Sequence, residues 1–99
     1  MFGFGNKKIK EALRNGAVII DVRTAYEFDQ GRIPGSVNIP VDRIAASIQR
    51  IRQFNKPIIL CCSTGERSGK AISILRAEGM KDVYNGKSWV KLLRIVKQG

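Results

Sequence analysis

Histidine is absent from this chain of 99 residues, and its absence removes a large share of the usual catalytic chemistry. Without an imidazole there is no Cys–His dyad, no Ser–His–Asp triad and no histidine-containing metal site. Cysteine is scarce too. Cys61 and Cys62 are neighbours, so they give no disulfide framework, and a bond between them would close a strained small ring. Two adjacent thiols also fall short of a tetrahedral zinc site, which takes four ligands at separated spacings. No metal and no cofactor is expected. No stretch nears the roughly 20 apolar residues of a membrane span. The opening Met1-Phe-Gly-Phe-Gly-Asn-Lys-Lys8 has too few apolar residues, and its charges lie on the wrong side, for a secretory signal. With free thiols, the expected compartment is the reducing cytoplasm. Repeats, linkers and low-complexity segments are lacking, so residues 1–99 read as a single domain that buries roughly 60–65% of its unfolded surface.

Acidic residues are few as well, 8 against 18 Lys and Arg, for a net charge of +10. So basic a chain invites nucleic acid or an anionic membrane as partner. The cations are dispersed from Lys7 to Lys97 with no block of five, however, and the sparse aromatics do not interleave with them as a base-stacking platform requires. No nucleic acid and no membrane partner is expected. The surface reads as solvated and basic, able to concentrate small anions.

What the chain does have is Ile58-Ile-Leu-Cys-Cys62-Ser-Thr-Gly-Glu-Arg67-Ser-Gly69. A β-branched apolar run delivers a cysteine into a short loop, and the loop opens a helix that is predicted to begin near Ser68. That arrangement aims backbone N–H groups and the positive end of a helix dipole at one point. An anion there is stabilised. So is the thiolate of Cys62, because a helix N-terminus and Arg67 both lower a thiol's pKa. Cys61, which continues the apolar run, reads instead as a small buried hydrophobe.

Around this loop, helix and strand signals alternate, which argues a small parallel α/β sheet of four to five strands with helices on both faces. Residues 7–15 read as a helix ended by Asn15-Gly16, and Ala17–Val22 as a buried strand. Thr24-Ala-Tyr-Glu27 is a capping box for a short helix that stops near Gly31. Val37–Ile39 is a brief strand. Asp42 is expected to cap one helix through about Phe54, with Val41, Ile44, Ala45, Ile48, Ile51 and Phe54 on its apolar face. Pro57 precedes the strand Ile58–Cys61. The helix after the loop should run to Glu78 with Gly79 as its C′ residue. Val83-Tyr84 is a last short strand, and Trp89, Leu92, Leu93 and Val96 stripe a closing helix, with Trp89 as core packing.

The motifs resemble those of single-domain rhodanese sulfurtransferases. Cys62-Ser-Thr-Gly65-Glu-Arg67-Ser68 has the family's glycine three residues, and its arginine five residues, after the cysteine. Two further blocks agree, in the family's order. One is Ile19-Ile-Asp21-Val-Arg23-Thr-Ala-Tyr-Glu27 with Gly31-Arg-Ile-Pro34-Gly35-Ser-Val-Asn38-Ile-Pro40; the other is Val83-Tyr-Asn-Gly86-Lys-Ser-Trp89. Two positions depart. Arg32 stands where the family commonly has histidine, and Lys87 where a second glycine is usual. Altered surface or substrate recognition is expected from these, not lost chemistry.

The resemblance also implies a reaction. Phosphatases and arsenate reductases of related fold use seven residues from cysteine to arginine, where rhodaneses use six. Cys61 to Arg67 spans seven, but the glycine position of the phosphatase pattern is then Thr64; counted from Cys62 it is Gly65, as in sulfurtransferases. Cys62 is thus expected to take sulfur from thiosulfate or another small anionic donor and pass it, as a persulfide, to cyanide or a thiol. Backbone N–H groups of Ser63, Thr64, Gly65, Glu66, Arg67 and Ser68 would cradle the sulfur, with the Ser63 and Thr64 hydroxyls and the Arg67 guanidinium as added donors. Asp21 and Arg23, at a strand end, could by themselves be an acid or a metal ligand; the resemblance makes them structural support, with Glu27. Two other readings stay open: a carrier that delivers persulfide to a protein acceptor, and a cysteine-dependent phosphatase.

Overall fold

The computed structural model describes residues 4–98. Residues 1–3, part of the stretch read above against a secretory signal, lie outside the described residues. The elements run α1 (Phe4–Arg14), β1 (Val18–Asp21), α2 (Ala25–Gln30), β2 (Val37–Asn38), two 3₁₀ turns (Val41–Arg43 and Ala45–Ser47), α3 (Ile48–Phe54), β3 (Ile58–Cys62), α4 (Glu66–Ala77), β4 (Val83–Ser88) and α5 (Trp89–Gln98). The four strands form one parallel sheet in the order β2-β1-β3-β4. No helix among the described residues is long and apolar enough to cross a membrane.

Period-2 alternation sorts the strand residues between two apolar layers. Ile20, Val22, Ile58, Leu60 and Cys62 face the layer that packs against α3 and α4. Ile19, Ile59 and Cys61 face the layer formed with α1 and α5. Burial on both sides explains why β3 reads as a continuous apolar run, with all five residues buried. Each fully buried isoleucine or leucine here is worth roughly 1.5–3 kcal/mol relative to exposure.

β1 lies beside β2 on one edge and β3 on the other, so the chain reverses its winding between β1 and β3. Ligands in open parallel sheets bind at such a switch point, outside the carboxyl ends of the strands. Asp21 and Cys62 end the two strands there.

Three expectations need correcting. The single helix from Asp42 to Phe54 is two 3₁₀ turns followed by α3. The break falls at Ser47, whose backbone leaves the helical region at φ −107° and ψ 10°; its N–H donates to Ile44 O at 2.9 Å and its hydroxyl to Arg43 O at 2.8 Å. The side chain thus occupies the carbonyl an α-helix would give to the backbone. Asp42 consequently caps nothing, and Ala45 is exposed, whereas Ile44, Ile48 and Ile51 are buried as expected. Second, α4 begins at Glu66, two residues before Ser68, because Gly65 at φ +109° makes the turn into the helix itself. Third, β4 continues past Tyr84 to Ser88. Its register against β3 shifts between Leu60 and Cys61, which pair with Asn85 and Lys87. Gly86 is the extra residue of this bulge. A Cβ there would lie 2.8 Å from Ile59 Cγ2 and 2.9 Å from Leu92 Cδ2.

Other local predictions match the structure. Thr24 and Glu27 form the reciprocal capping box. α4 ends in a Schellman motif, with Gly79 N–H donating to Arg76 O and Met80 N–H to Leu75 O.

Candidate functional site

Three residues, 63–65, carry the chain from β3 into α4, and the turn folds back onto Cys62. Gly65 N–H donates to Cys62 Sγ at 2.9 Å. The Ser68 hydroxyl lies 3.5 Å from the same sulfur. Burial opposes a charge on Cys62, but the Ser68 hydroxyl and the backbone N–H groups of Ser68, Gly65 and Thr64 outweigh it. The thiol pKa is lowered from its ordinary 9.0. Cys61 is driven the opposite way: burial pushes its pKa far up, and the Asp21 carboxylate adds to the effect.

The turn is braced from β4. Ser68 Oγ donates to Asn85 Oδ1 at 2.6 Å, and Asn85 Nδ2 donates to Gly65 O at 3.3 Å. Lys87 holds φ +61°, a conformation that suits glycine, and its stem crowds the turn: a Cβ on Gly65 would sit 3.2 Å from Lys87 Cβ. Lys87 N–H closes the brace by donating to Asn85 Oδ1 at 2.9 Å.

Arg67 does not point at the sulfur. Its guanidinium makes a two-pronged bond to Glu27 of α2, at 2.7 and 3.1 Å, and donates to Ser63 Oγ at 3.1 Å. Arg67 and the Thr24 N–H hold the Glu27 carboxyl down at about 2. Glu27 therefore serves two elements, capping α2 and latching it to α4. The side chains of Ser63, Thr64 and Glu66 are exposed.

Asp21 and Arg23 form a separate, buried network. Arg23 Nε and Nη2 donate to the Asp21 carboxylate at 2.9 and 2.7 Å, and Nη2 also donates to Gly31 O at 2.6 Å. The Trp89 ring stacks on the Arg23 guanidinium, 4.6 Å from ring centroid to Cζ. This network closes the end of the α1–α5 layer on the Cys61 side and makes no bond to Cys62.

The fold thus brings Cys62, Thr64, Gly65 and Ser68 together around one sulfur, sets Arg67, Glu27 and Ser63 at its rim, and leaves Asp21 and Arg23 across the sheet. Asn85 is the site residue that sequence reasoning missed. It lies within the third motif, between Tyr84 and Gly86, and strand alternation past Tyr84 sets it opposite Leu60 on the face of Val83 and Cys62.

The family model for a rhodanese-like domain matches residues 6–88. The uncharacterized protein YqhL of Bacillus subtilis is 40% identical over 75 residues, covering 76% of this chain and 59% of that protein. Thiosulfate sulfurtransferase GlpE of Pseudomonas savastanoi is 36% identical over 85 residues, covering 85% of this chain and 79% of the relative. Among solved structures, a human single-domain sulfurtransferase superposes with a TM-score of 0.65 at 28% identity, over 79% of this chain and 81% of that one.

Proposed function

The chain belongs to the rhodanese-like domain family, and on that premise we propose that it transfers sulfane sulfur through a persulfide on Cys62. The observation that carries the reading is the Cys62 sulfur itself, set on the Gly65 N–H at 2.9 Å at the start of α4, with its pKa lowered. A thiolate is the nucleophilic form of cysteine, and the donors that stabilise it suit an anionic terminal sulfur equally well.

The first step starts from the Cys62 thiolate and thiosulfate. The Cys62 sulfur forms a bond to the outer sulfur, the donor's S–S bond breaks, and sulfite leaves with the bonding pair. The protein then holds Cys62–S–S⁻. Cyanide or a thiolate attacks the outer sulfur, and the bonding pair returns to Cys62. Covalent catalysis of this kind gives ping-pong kinetics. Arg67 works through its rim position, keeping positive charge beside the loop while Glu27 fixes its direction. The net charge of +10 raises the local concentration of the anionic donor. Cys61, on the opposite face with its pKa raised, does not fit the role of nucleophile in a seven-residue phosphatase loop.

The test is intact mass after brief exposure to thiosulfate, on wild type, Cys62→Ser and Cys61→Ser. The expected result is a gain of one sulfur atom, reversed by cyanide and lost only in Cys62→Ser. A wild-type protein that gains no sulfur would overturn the proposal.

A further inference from the structure

The Ser68 hydroxyl has one proton to donate and two groups that claim it. Asn85 Oδ1 stands 2.6 Å away on one side and Cys62 Sγ 3.5 Å away on the other. The Asn85 amide is oriented by backbone at both ends. Lys87 N–H requires an acceptor and finds Oδ1 at 2.9 Å; Gly65 O, which also takes the Gly69 N–H at 2.9 Å, can only accept and faces Nδ2 at 3.3 Å. Flipping the amide would set donor against donor and acceptor against acceptor. Oδ1 therefore faces Ser68 and draws its proton. In that state Ser68 Oγ offers Cys62 a lone pair, which suits a thiol S–H and not a thiolate.

We propose that Asn85 is a positioning residue that governs the ionisation of Cys62 by competing with it for the Ser68 hydroxyl proton. While Cys62 is a thiol, the hydroxyl points at Asn85. When the thiol proton leaves to solvent, the hydroxyl rotates to Cys62 Sγ and hydrogen-bonds the thiolate. Asn85 Oδ1 keeps the Lys87 N–H, so neither state leaves a buried group unpartnered. Only hydrogen bonds exchange, and no heavy atom need shift. The competition holds the thiolate less stabilised than the loop alone would, and a sulfur of higher pKa is the stronger nucleophile.

Charged groups stand on the elements around Cys62, none of them bonded to its sulfur. They are Arg67 on α4, bonded to Glu27 of α2; the Asp21–Arg23 pair on the β1 side, beside Cys61; and exposed Lys87 on β4. The variants below leave all of them in place. For its bearing on catalysis the inference rests on the sulfur-transfer reading, which it deepens; the ionisation of Cys62 itself is read separately.

The experiment follows the rate of Cys62 alkylation by iodoacetamide against pH, with the modified residue located by mass, in wild type, Ser68→Ala, Asn85→Ala and the double variant. Ser68→Ala should raise the Cys62 pKa. Asn85→Ala should lower it by about half a pH unit or more, because the hydroxyl then has one claimant. In the Ser68→Ala background, Asn85→Ala should lose this effect. A residue that merely braced the turn would behave oppositely: removing it would loosen the Gly65 N–H and raise the pKa in both backgrounds. That result, or no shift in Asn85→Ala, overturns the proposal. Asn85→Leu, apolar and of similar shape, asks the same question if Asn85→Ala does not fold. Exposing wild type to thiosulfate in parallel keeps the two proposals apart. The expected pKa pattern without a gain of sulfur would overturn sulfur transfer and support the role of Asn85.

Discussion

Cys61 and Cys62 are joined by one peptide bond, yet the pleat of β3 sends them into different chemistries. Cys61 enters the α1–α5 layer, fully buried, with the Asp21 carboxylate near it and its pKa pushed up. Cys62 is as hidden from solvent, at 1% exposure, but its side of the sheet ends at the start of α4, and its pKa is pushed down. Burial alone therefore does not decide which way a thiol's pKa moves. The difference comes from what closes each layer: on one face a buried carboxylate, on the other a ring of N–H and O–H donors.

The sharpest test of that contrast is differential alkylation. In the folded protein Cys62 should react with a midpoint below the ordinary 9.0, while Cys61 waits for unfolding. Unfolded molecules are at most a thousandth of a typical stable domain, so Cys61 should react roughly 10³-fold more slowly or worse. Peptide mapping after a timed iodoacetamide pulse reads both rates at once. Comparable rates would erase the distinction between the faces.

Serine substitution probes the same contrast through stability. Cys61→Ser places a hydroxyl in an apolar layer and should cost about 1–3 kcal/mol in urea unfolding. Cys62→Ser should cost less, because Gly65 N–H and the Ser68 hydroxyl remain to bond the new oxygen. Equal losses would mean that the two environments differ in name only.

The smallest effect concerns the rim. Glu27 has its pKa lowered from 4.5 to about 2, so its contribution to stability is complete above 4.5 and fades as pH falls toward 2. The pair is one-third exposed, which limits the contribution to under about 1 kcal/mol. Thermal unfolding of wild type and Glu27→Gln should therefore differ near neutrality and converge as pH approaches 2. Curves that stay parallel would deny the latch any role in stability.

How much of this the sequence carries depends on how far apart the partners are. The β3–loop–α4 unit was readable because an apolar run, a cysteine, a glycine and an arginine follow one another closely, although the start of α4 falls two residues earlier than expected. Apolar runs and caps likewise located β1, β3, α2 and the end of α4. The break at Ser47 was not readable, because serine fits a helical pattern equally well unbroken, as Ser73 does in α4 with the same hydroxyl-to-carbonyl bond. Asn85 and the Arg67–Glu27 pair escaped for another reason. Asn85 faces the loop only because β4 runs on past Tyr84, where the expected strand stopped, and Glu27 meets a partner forty positions away that its capping role does not announce.

The Ser68–Asn85–Gly65 brace carries a consequence for how the protein is made. Its last member lies in β4, 23 positions after the cysteine it serves. A growing chain that has emerged only as far as α4 holds Cys62 and its loop but neither of the Asn85 bonds. On the competition proposed above, the Ser68 hydroxyl of a half-synthesised chain has Cys62 as its one claimant, so the restraint that β4 places on the thiol is the last part of the site to arrive.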